Sequence, residues 1–245
     1  MRGAEEMQLE ERLLAVKARI AEAARRVGRD PQEITLCAAT KVQTDQTIQQ
    51  AIAAGLAVCG ENRVQELCAH LEADAYAGAQ QVHFIGHLQT NKVNKVVGRV
   101  ELIQSVDSLR LLQAIQKQAE RLGIVQDILL QVNIGGEESK GGVEPEELDG
   151  LAAQAVSMPN VRLRGLMAIP PVAVDPEDNT QYFVAMRQLF VDMKEKIADN
   201  KNDINCLSMG MSKDYEQAIA QGATLVRVGS AIFGPRPPVA PSSEQ

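Results

Sequence analysis

ITLCAATKVQTDQTIQQAIAAGLAVCGENRVQE, residues 34–66, decides the fold. The apolar run at 34–39 is too short for a buried helix and reads as a strand, and 56–59 repeats it. The stretches 44–54 and 62–72 carry apolar residues at helical spacing instead. Two short buried strands joined by a helix lie parallel, because a helical crossover returns the chain to the edge of the sheet it left.

The same alternation continues outward. Strands are predicted at 82–85, 100–104, 127–132, 161–166, 203–207 and 224–228, with helical stretches at 89–97, 108–122, 145–156, 178–198 and 212–221. Eight strands with helices between them suit a closed α/β barrel, a TIM-like (β/α)8 arrangement, better than an open doubly wound sheet, which stays as the alternative. Ahead of strand one, Leu9, Leu13, Val16 and Ile20 recur at helical spacing up to Gly28 and Pro31, so an extra N-terminal helix is expected. Residues 1–237 read as a single domain and 238–245, inside PRPPVAPSSEQ, as a disordered tail.

Composition narrows the function. With 25 Lys plus Arg against 32 Asp plus Glu, the net charge of −7 leaves no basic surplus for a nucleic-acid backbone. No run of about 18 apolar residues exists, and the charged start lacks a signal peptide's apolar core, so no membrane partner and a cytoplasmic location are expected. Cys37, Cys59, Cys68 and Cys206 form no C-x-x-C pair and read as reduced core thiols rather than nucleophiles. His70, His83 and His87 lack metal-ligand spacing, so no metal is expected, although His83 and His87 could line a barrel mouth.

In a βα barrel, reactive groups gather at the C-terminal ends of strands. Lys41 closes ITLCAATK, where scarce water would lower an amine's pKa and make it nucleophilic; a snorkelling surface lysine is the plainer reading. After strands seven and eight, Ser208-Met209-Gly210-Met211-Ser212 and Arg227-Val228-Gly229-Ser230 fall where barrels build phosphate sites from loop amides and a helix N-terminus. A helix starting near Ser212 would point its positive end inward. Turn chemistry alone would also explain these glycines. A strand-end lysine beside a phosphate site suits a phosphorylated aldehyde cofactor or a phosphorylated sugar. The loop EESKGG, 137–142, reads either as a solvated turn or as a flap over the mouth.

Seven motifs in order carry a resemblance: AATK (38–41), GENRVQE (60–66), HFIGHLQTNKV (83–93), SVDS (105–108), QVNIGGEESKGG (131–142), LRGLMAIP (163–170), and LSMGMSKDYEQAI with VRVGSAIFG (207–234). From about Leu9 to Gly234 the sequence resembles the YggS/PROSC family of pyridoxal phosphate homeostasis proteins. That resemblance implies a fold-type III barrel like the N-terminal domain of alanine racemase, with pyridoxal 5′-phosphate (PLP) held as a Schiff base on Lys41. It also implies phosphate contacts from Ser208, Gly229 and Ser230, Arg227 against the pyridine nitrogen, and Asn62 beside the ring. Where family members often carry His before S-V-D-S, this chain has Gln104.

The related racemases need a tyrosine from an added β domain, whereas Tyr76, Tyr182 and Tyr215 here fall in predicted helices or at their starts. The resemblance therefore implies a monomeric carrier that maintains vitamin B6 and amino- and keto-acid pools without robust catalysis. Apo-enzymes that use PLP are the candidate recipients. A weak PLP-dependent racemase or lyase using Lys41 as base is the alternative, and a Schiff-base aldolase without the cofactor is a third.

Overall fold

A computed structural model describes residues 2–137, 140–172, 175–197 and 202–235; the expected tail at 238–245 lies outside them. Its eight strands are β1 (Thr35–Ala39), β2 (Val58–Glu61), β3 (Gln81–Phe84), β4 (Leu102–Val106), β5 (Gln126–Val132), β6 (Val161–Ala168), β7 (Cys206–Ser208) and β8 (Leu225–Val228). They form one closed parallel barrel in sequence order. Closure is made by β1 against β8, where Thr35, Leu36, Cys37 and Ala38 pair with Leu225, Val226, Arg227 and Val228. The open-sheet alternative is thereby excluded.

Alternation along each strand sorts side chains between two compartments. Outward-facing Ala38, Cys59, Phe84, Ile103, Ile128, Leu130, Leu166, Val226 and Val228 pack under the helices in the main apolar cluster. Inward-facing Cys37, Val58, Ile85, Leu102, Leu129, Met167 and Leu225 form a separate small one. Two register shifts interrupt the ladders, β4 against β5 between Ile103 and Val106 and β5 against β6 between Ile128 and Leu129, and Gly165 sits at the second with φ +148°. A Cβ on Gly165 would lie 1.8 Å from the Cys206 carbonyl oxygen, so β7 can approach β6 only across a glycine.

The crossovers are α2 (Asp45–Ala53), α3 (Val64–Glu72), a 3-10 segment at Thr90–Lys95, α4 (Leu109–Leu122), α5 (Leu148–Ser157), α6 (Thr180–Lys196) and α7 (Tyr215–Ala220). In α4 the apolar stripe Leu111, Leu112, Ile115 and Ala119 is buried, the Ser108 hydroxyl accepts from the Leu111 amide, and Gly123 terminates the helix at φ +66°. The third crossover is tighter than expected. TNKVNK mixes β-branched and Asn residues, no side chain caps its start, and Gly98 follows at φ +77°.

Helix α1 (Arg2–Arg26) buries Leu9, Leu13, Val16 and Ile20, the expected stripe. It is tied to the barrel through Arg12, which donates to the Ile232 carbonyl at 2.6 Å, and Lys17, which donates to the Gly55 carbonyl at 2.7 Å. Among the described residues, no helix is long and apolar enough to cross a membrane.

Candidate functional site

The inward row Thr35, Cys37, Ala39 continues one step past β1 to Lys41, so strand alternation carries this amine to the C-terminal mouth of the barrel. The mouth holds a cavity of about 540 Å³, lined by Lys41, Asn62, Ser212, Asp214, Arg227, Gly229 and Ser230 among others. Ile85, Ile169, Pro171 and Phe233 give it apolar walls able to sandwich a flat ring.

Two devices fix the Lys41 loop. Val42 takes φ +59°, a left-handed conformation that costs a β-branched residue about 1–2 kcal/mol, and its amide donates to the Glu66 carboxylate at 2.9 Å. Thr40, fully buried on the opposite side of the strand, donates to the Gly60 carbonyl at 3.1 Å and to Glu61 at 3.1 Å.

Glu61 thus faces away from the mouth, although it stands in the strand-end motif Gly60-Glu61-Asn62-Arg63. Its carboxylate accepts from the Asn62 amide at 2.7 Å and from Tyr76 Oη at 3.3 Å, linking the loops that carry Lys41 and Asn62. Burial raises its carboxyl pKa above the ordinary value of 4.5, more than the hydrogen bonds from Asn62, Thr40 and Arg63 lower it. The folded state therefore holds this proton more firmly than the unfolded chain. That contribution to stability is complete below the unfolded value and is lost as pH climbs through the folded one. Glu61→Gln should keep the fold and flatten this loss. Thermal unfolding from acid to neutral pH checks it; a variant that declines as steeply as the parent would refute the role.

The opposite wall comes from the loops after β7 and β8. Gly210 adopts φ +88°, and a Cβ there would stand 2.5 Å from that of Ala218. The 211–214 segment is closed by Asp214, which accepts from the Met211 amide at 2.7 Å and from Asn179 Nδ2 at 2.7 Å. Because Asp214 closes this turn, α7 starts at Tyr215 rather than near Ser212. The helix end at the mouth is instead that of α8 (Ser230–Phe233). The Gly229 and Ala231 amides there donate to Ser212 Oγ at 3.1 and 3.4 Å, a cluster of two N–H groups and a hydroxyl suited to an anion. Of the two serines in the loop after β7 that the sequence offers to a phosphate, Ser212 lines the mouth, whereas Ser208, the one the resemblance singles out, does not. Gly229 has φ −117°, so its backbone geometry does not itself demand glycine.

Arg227 forms the floor. It is only 4% exposed, its Nη2 donates to the Ala168 carbonyl at 2.8 Å, and its Nη1 donates to Ser208 Oγ. Burial lowers its pKa to about 10, which still leaves it charged at neutral pH. Ser208 does not join the mouth lining. Its side chain points into the barrel beneath Arg227, fully buried, and donates to Gln104 Oε1 at 2.7 Å, so its hydroxyl proton is spent and a direct phosphate contact does not fit. Asn62 fits a ligand better: its Oδ1 is buried without a hydrogen-bond partner while the residue lines the cavity.

The histidines scatter. His83 lies inside the barrel in mid-strand rather than at the mouth, and burial lowers its pKa to about 4, so it is neutral. His87 is largely exposed, with Nδ1 3.7 Å from Asp107, and His70 Nδ1 is 2.5 Å from Asp45. Among the described residues, no three His, Cys, Asp or Glu side chains could together hold a metal ion. Burial pushes the Cys37, Cys59 and Cys206 thiols upward, against a nucleophilic role. Around EESKGG, Glu138 and Ser139 lie outside the described residues, and Lys140 Nζ donates to the Pro170 carbonyl at 2.9 Å.

An amine, an anion-binding corner and a cationic floor around a flat apolar slot would accept a phosphorylated aromatic aldehyde. Comparison with known proteins agrees with that chemistry. The sequence profile of the alanine racemase N-terminal domain matches residues 12–237. The pyridoxal phosphate homeostasis protein of Aquifex aeolicus is 45% identical over 226 residues, covering 92% of this chain and 97% of the relative. That of Pseudomonas aeruginosa is 39% identical over 233 residues, covering 95% and 98%. PipY of Synechococcus elongatus, solved with PLP bound, superposes with a TM-score of 0.79 at 32% identity, covering 93% of this chain and all of PipY. An alanine racemase of Clostridium difficile shares the fold at 15% identity, with a TM-score of 0.69, and covers 94% of this chain and 57% of its own. The chain therefore belongs to the alanine racemase N-terminal domain family, and within it to the pyridoxal phosphate homeostasis proteins.

Proposed function

We propose that the mouth binds PLP as a Schiff base on Lys41 and that the protein maintains vitamin B6 and amino- and keto-acid pools without robust turnover. The observation that carries this reading is the convergence of Lys41, the Arg227 floor and the Gly229–Ser230 corner on one cavity. When bound, the cofactor supplies an electrophilic aldehyde carbon. Lys41 supplies the nitrogen that captures it. Ser212, held by the Gly229 and Ala231 amides, and Ser230 would take the phosphate at the Gly229 corner, and Asn62 would present its unpartnered oxygen beside the ring.

Arg227 would stand against the ring nitrogen and, keeping its own proton, would offer that nitrogen a hydrogen bond without making it a full cation. A ring held so would withdraw electrons weakly, which favours holding over turnover. Tyr76, Tyr182 and Tyr215 are absent from the described lining, which further favours a carrier: Tyr76 is engaged with Glu61, and Tyr215 is buried in α7. The reading takes the carrier as a monomer in the cytoplasm, a reducing compartment in keeping with the free thiols of Cys37, Cys59, Cys68 and Cys206. Apo-enzymes that need PLP are its recipients.

The test is titration of apo-protein with PLP, borohydride reduction and peptide mapping. The expected label is stoichiometric and on Lys41. A label on Lys213, which lines the same mouth, would overturn the assignment.

A further inference from the structure

Below Arg227 a line of buried polar side chains runs through the barrel. Ser208 donates to Gln104 Oε1 at 2.7 Å, Gln104 Nε2 is 3.0 Å from His83 Nδ1, and His83 Nε2 is 2.8 Å from Gln81 Oε1. Ser208 and Gln104 are 0% exposed and His83 is 2% exposed, so water cannot substitute for a missing partner along this stretch. Gln81 is exposed at the opposite, N-terminal end of the barrel, where Glu33, Glu101, Asp127 and Arg164 line a second opening.

Arg227 gives this line a direction. A guanidinium can only donate, so Ser208 Oγ accepts from it and spends its own proton on Gln104 Oε1. Gln104 then presents its NH2 to His83 Nδ1, and His83 carries its proton on Nε2 toward Gln81. Flipping the amide would leave the buried Ser208 proton without an acceptor, a penalty comparable to a lost hydrogen bond.

We propose that Gln104, held by His83, is a positioning residue that acts through Ser208 to lock the Arg227 guanidinium beneath the cofactor ring. This rests on the proposed Schiff base at Lys41 and specifies what fixes the floor of that site. A hydrocarbon at position 104 leaves Ser208 free to rotate, and Arg227 then keeps a fixed partner only in the Ala168 carbonyl. A neutral imidazole, with one acceptor and one donor, can preserve the direction of the line.

The readout is the pH dependence of the Schiff-base absorbance. A guanidinium fixed at the ring opposes the positive charge of a protonated imine and holds its midpoint down; a loosened one lets it rise. Asp214, Lys213 and the neutral thiols of Cys37 and Cys206 surround the mouth and floor, and the variants leave them in place. With PLP loaded, Gln104→Leu and Ser208→Ala are expected to raise the midpoint by about half a pH unit or more. Both should weaken PLP binding roughly three- to tenfold, in proportion to one lost charge-assisted contact. Gln104→His should titrate like the parent.

Ser208→Ala breaks the same line with a smaller void, so it decides the matter if Gln104→Leu does not fold. Parental midpoints in Gln104→Leu or Ser208→Ala would overturn the inference, as would equal shifts in Gln104→Leu and Gln104→His, which would reveal mere packing. A parent protein with no borohydride-trapped label on Lys41 would instead overturn the underlying reading, and this inference with it.

Discussion

Lys41→Ala should abolish the borohydride-stable label and the near-visible absorbance of the PLP-loaded protein while leaving the barrel folded. Lys41 is half-buried at the mouth, two residues beyond the last residue of β1, and belongs to neither apolar cluster. Truncation there removes a side chain from a solvent-facing cavity rather than from the core, so stability should change by no more than about 1 kcal/mol, a few degrees in the unfolding midpoint. The proposed phosphate and ring contacts should survive in the variant, leaving weak, reversible PLP binding as the expected residue of function. Circular dichroism with an absorbance titration reads both halves of the expectation. An unfolded variant would show that Lys41 is structural, and an undiminished covalent label would place the Schiff base elsewhere. The same variant decides between holding and turnover: robust conversion of L- or D-amino acids by the parent, lost in Lys41→Ala, would replace the carrier reading with that of an enzyme.

The second large effect belongs to the two ends of the cavity. Ser230 is exposed at the mouth, so Ser230→Ala should leave stability unchanged within about 0.5 kcal/mol. It should weaken PLP binding by roughly tenfold, the loss of one hydrogen bond to a charged phosphate. Arg227→Ala is different. It leaves the Ala168 carbonyl without its donor and opens a void beneath the ring, for a stability loss of about 1–3 kcal/mol, together with a further tenfold or so in affinity. With Ser230 proposed at the phosphate and Arg227 at the ring nitrogen, the two losses should combine approximately multiplicatively, giving about a hundredfold in the double variant. Equilibrium titration of the single and double variants measures this. Parental affinity in the double variant would show that neither residue faces the cofactor as assigned.

Both predictions depend on positions that were readable to different degrees. Lys41 was legible because strand alternation is local: once 34–39 is a strand, Cys37, Ala39 and Lys41 share a face, and the strand's end places the amine at the mouth. The strand boundaries were less so. The second and fourth strands run two residues later than the apolar runs suggest, because Leu56 and Val100 pack in the core ahead of the ladder while Glu61 and Val106 are drawn into it. The expected helix at 89–97 tightened into 3-10 turns, where poor helix formers meet a crossover with no cap.

Periodicity along the chain was enough for eight strands alternating with crossovers and for the residues near each strand end, while closure into a barrel rests on the pairing of β8 with β1. The strands and crossovers depend on which face of a strand or helix is apolar, a property carried by neighbours in the chain. Which strand-end groups look into the mouth was settled by packing between distant strands. Ser208 and Ser212 are four residues apart in one motif, yet closure of the barrel places the first beneath Arg227 and the second against the Gly229 amide. Glu61 turned outward to meet Thr40 just past β1 and Tyr76 in the turn after α3, and His83 turned inward to meet Gln104 on β4, because each had to find a hydrogen-bond partner elsewhere in the chain. A buried polar group must be satisfied, and its partner stands 15 to more than 100 residues away along the chain, so that choice is fixed only when the eighth strand closes on the first.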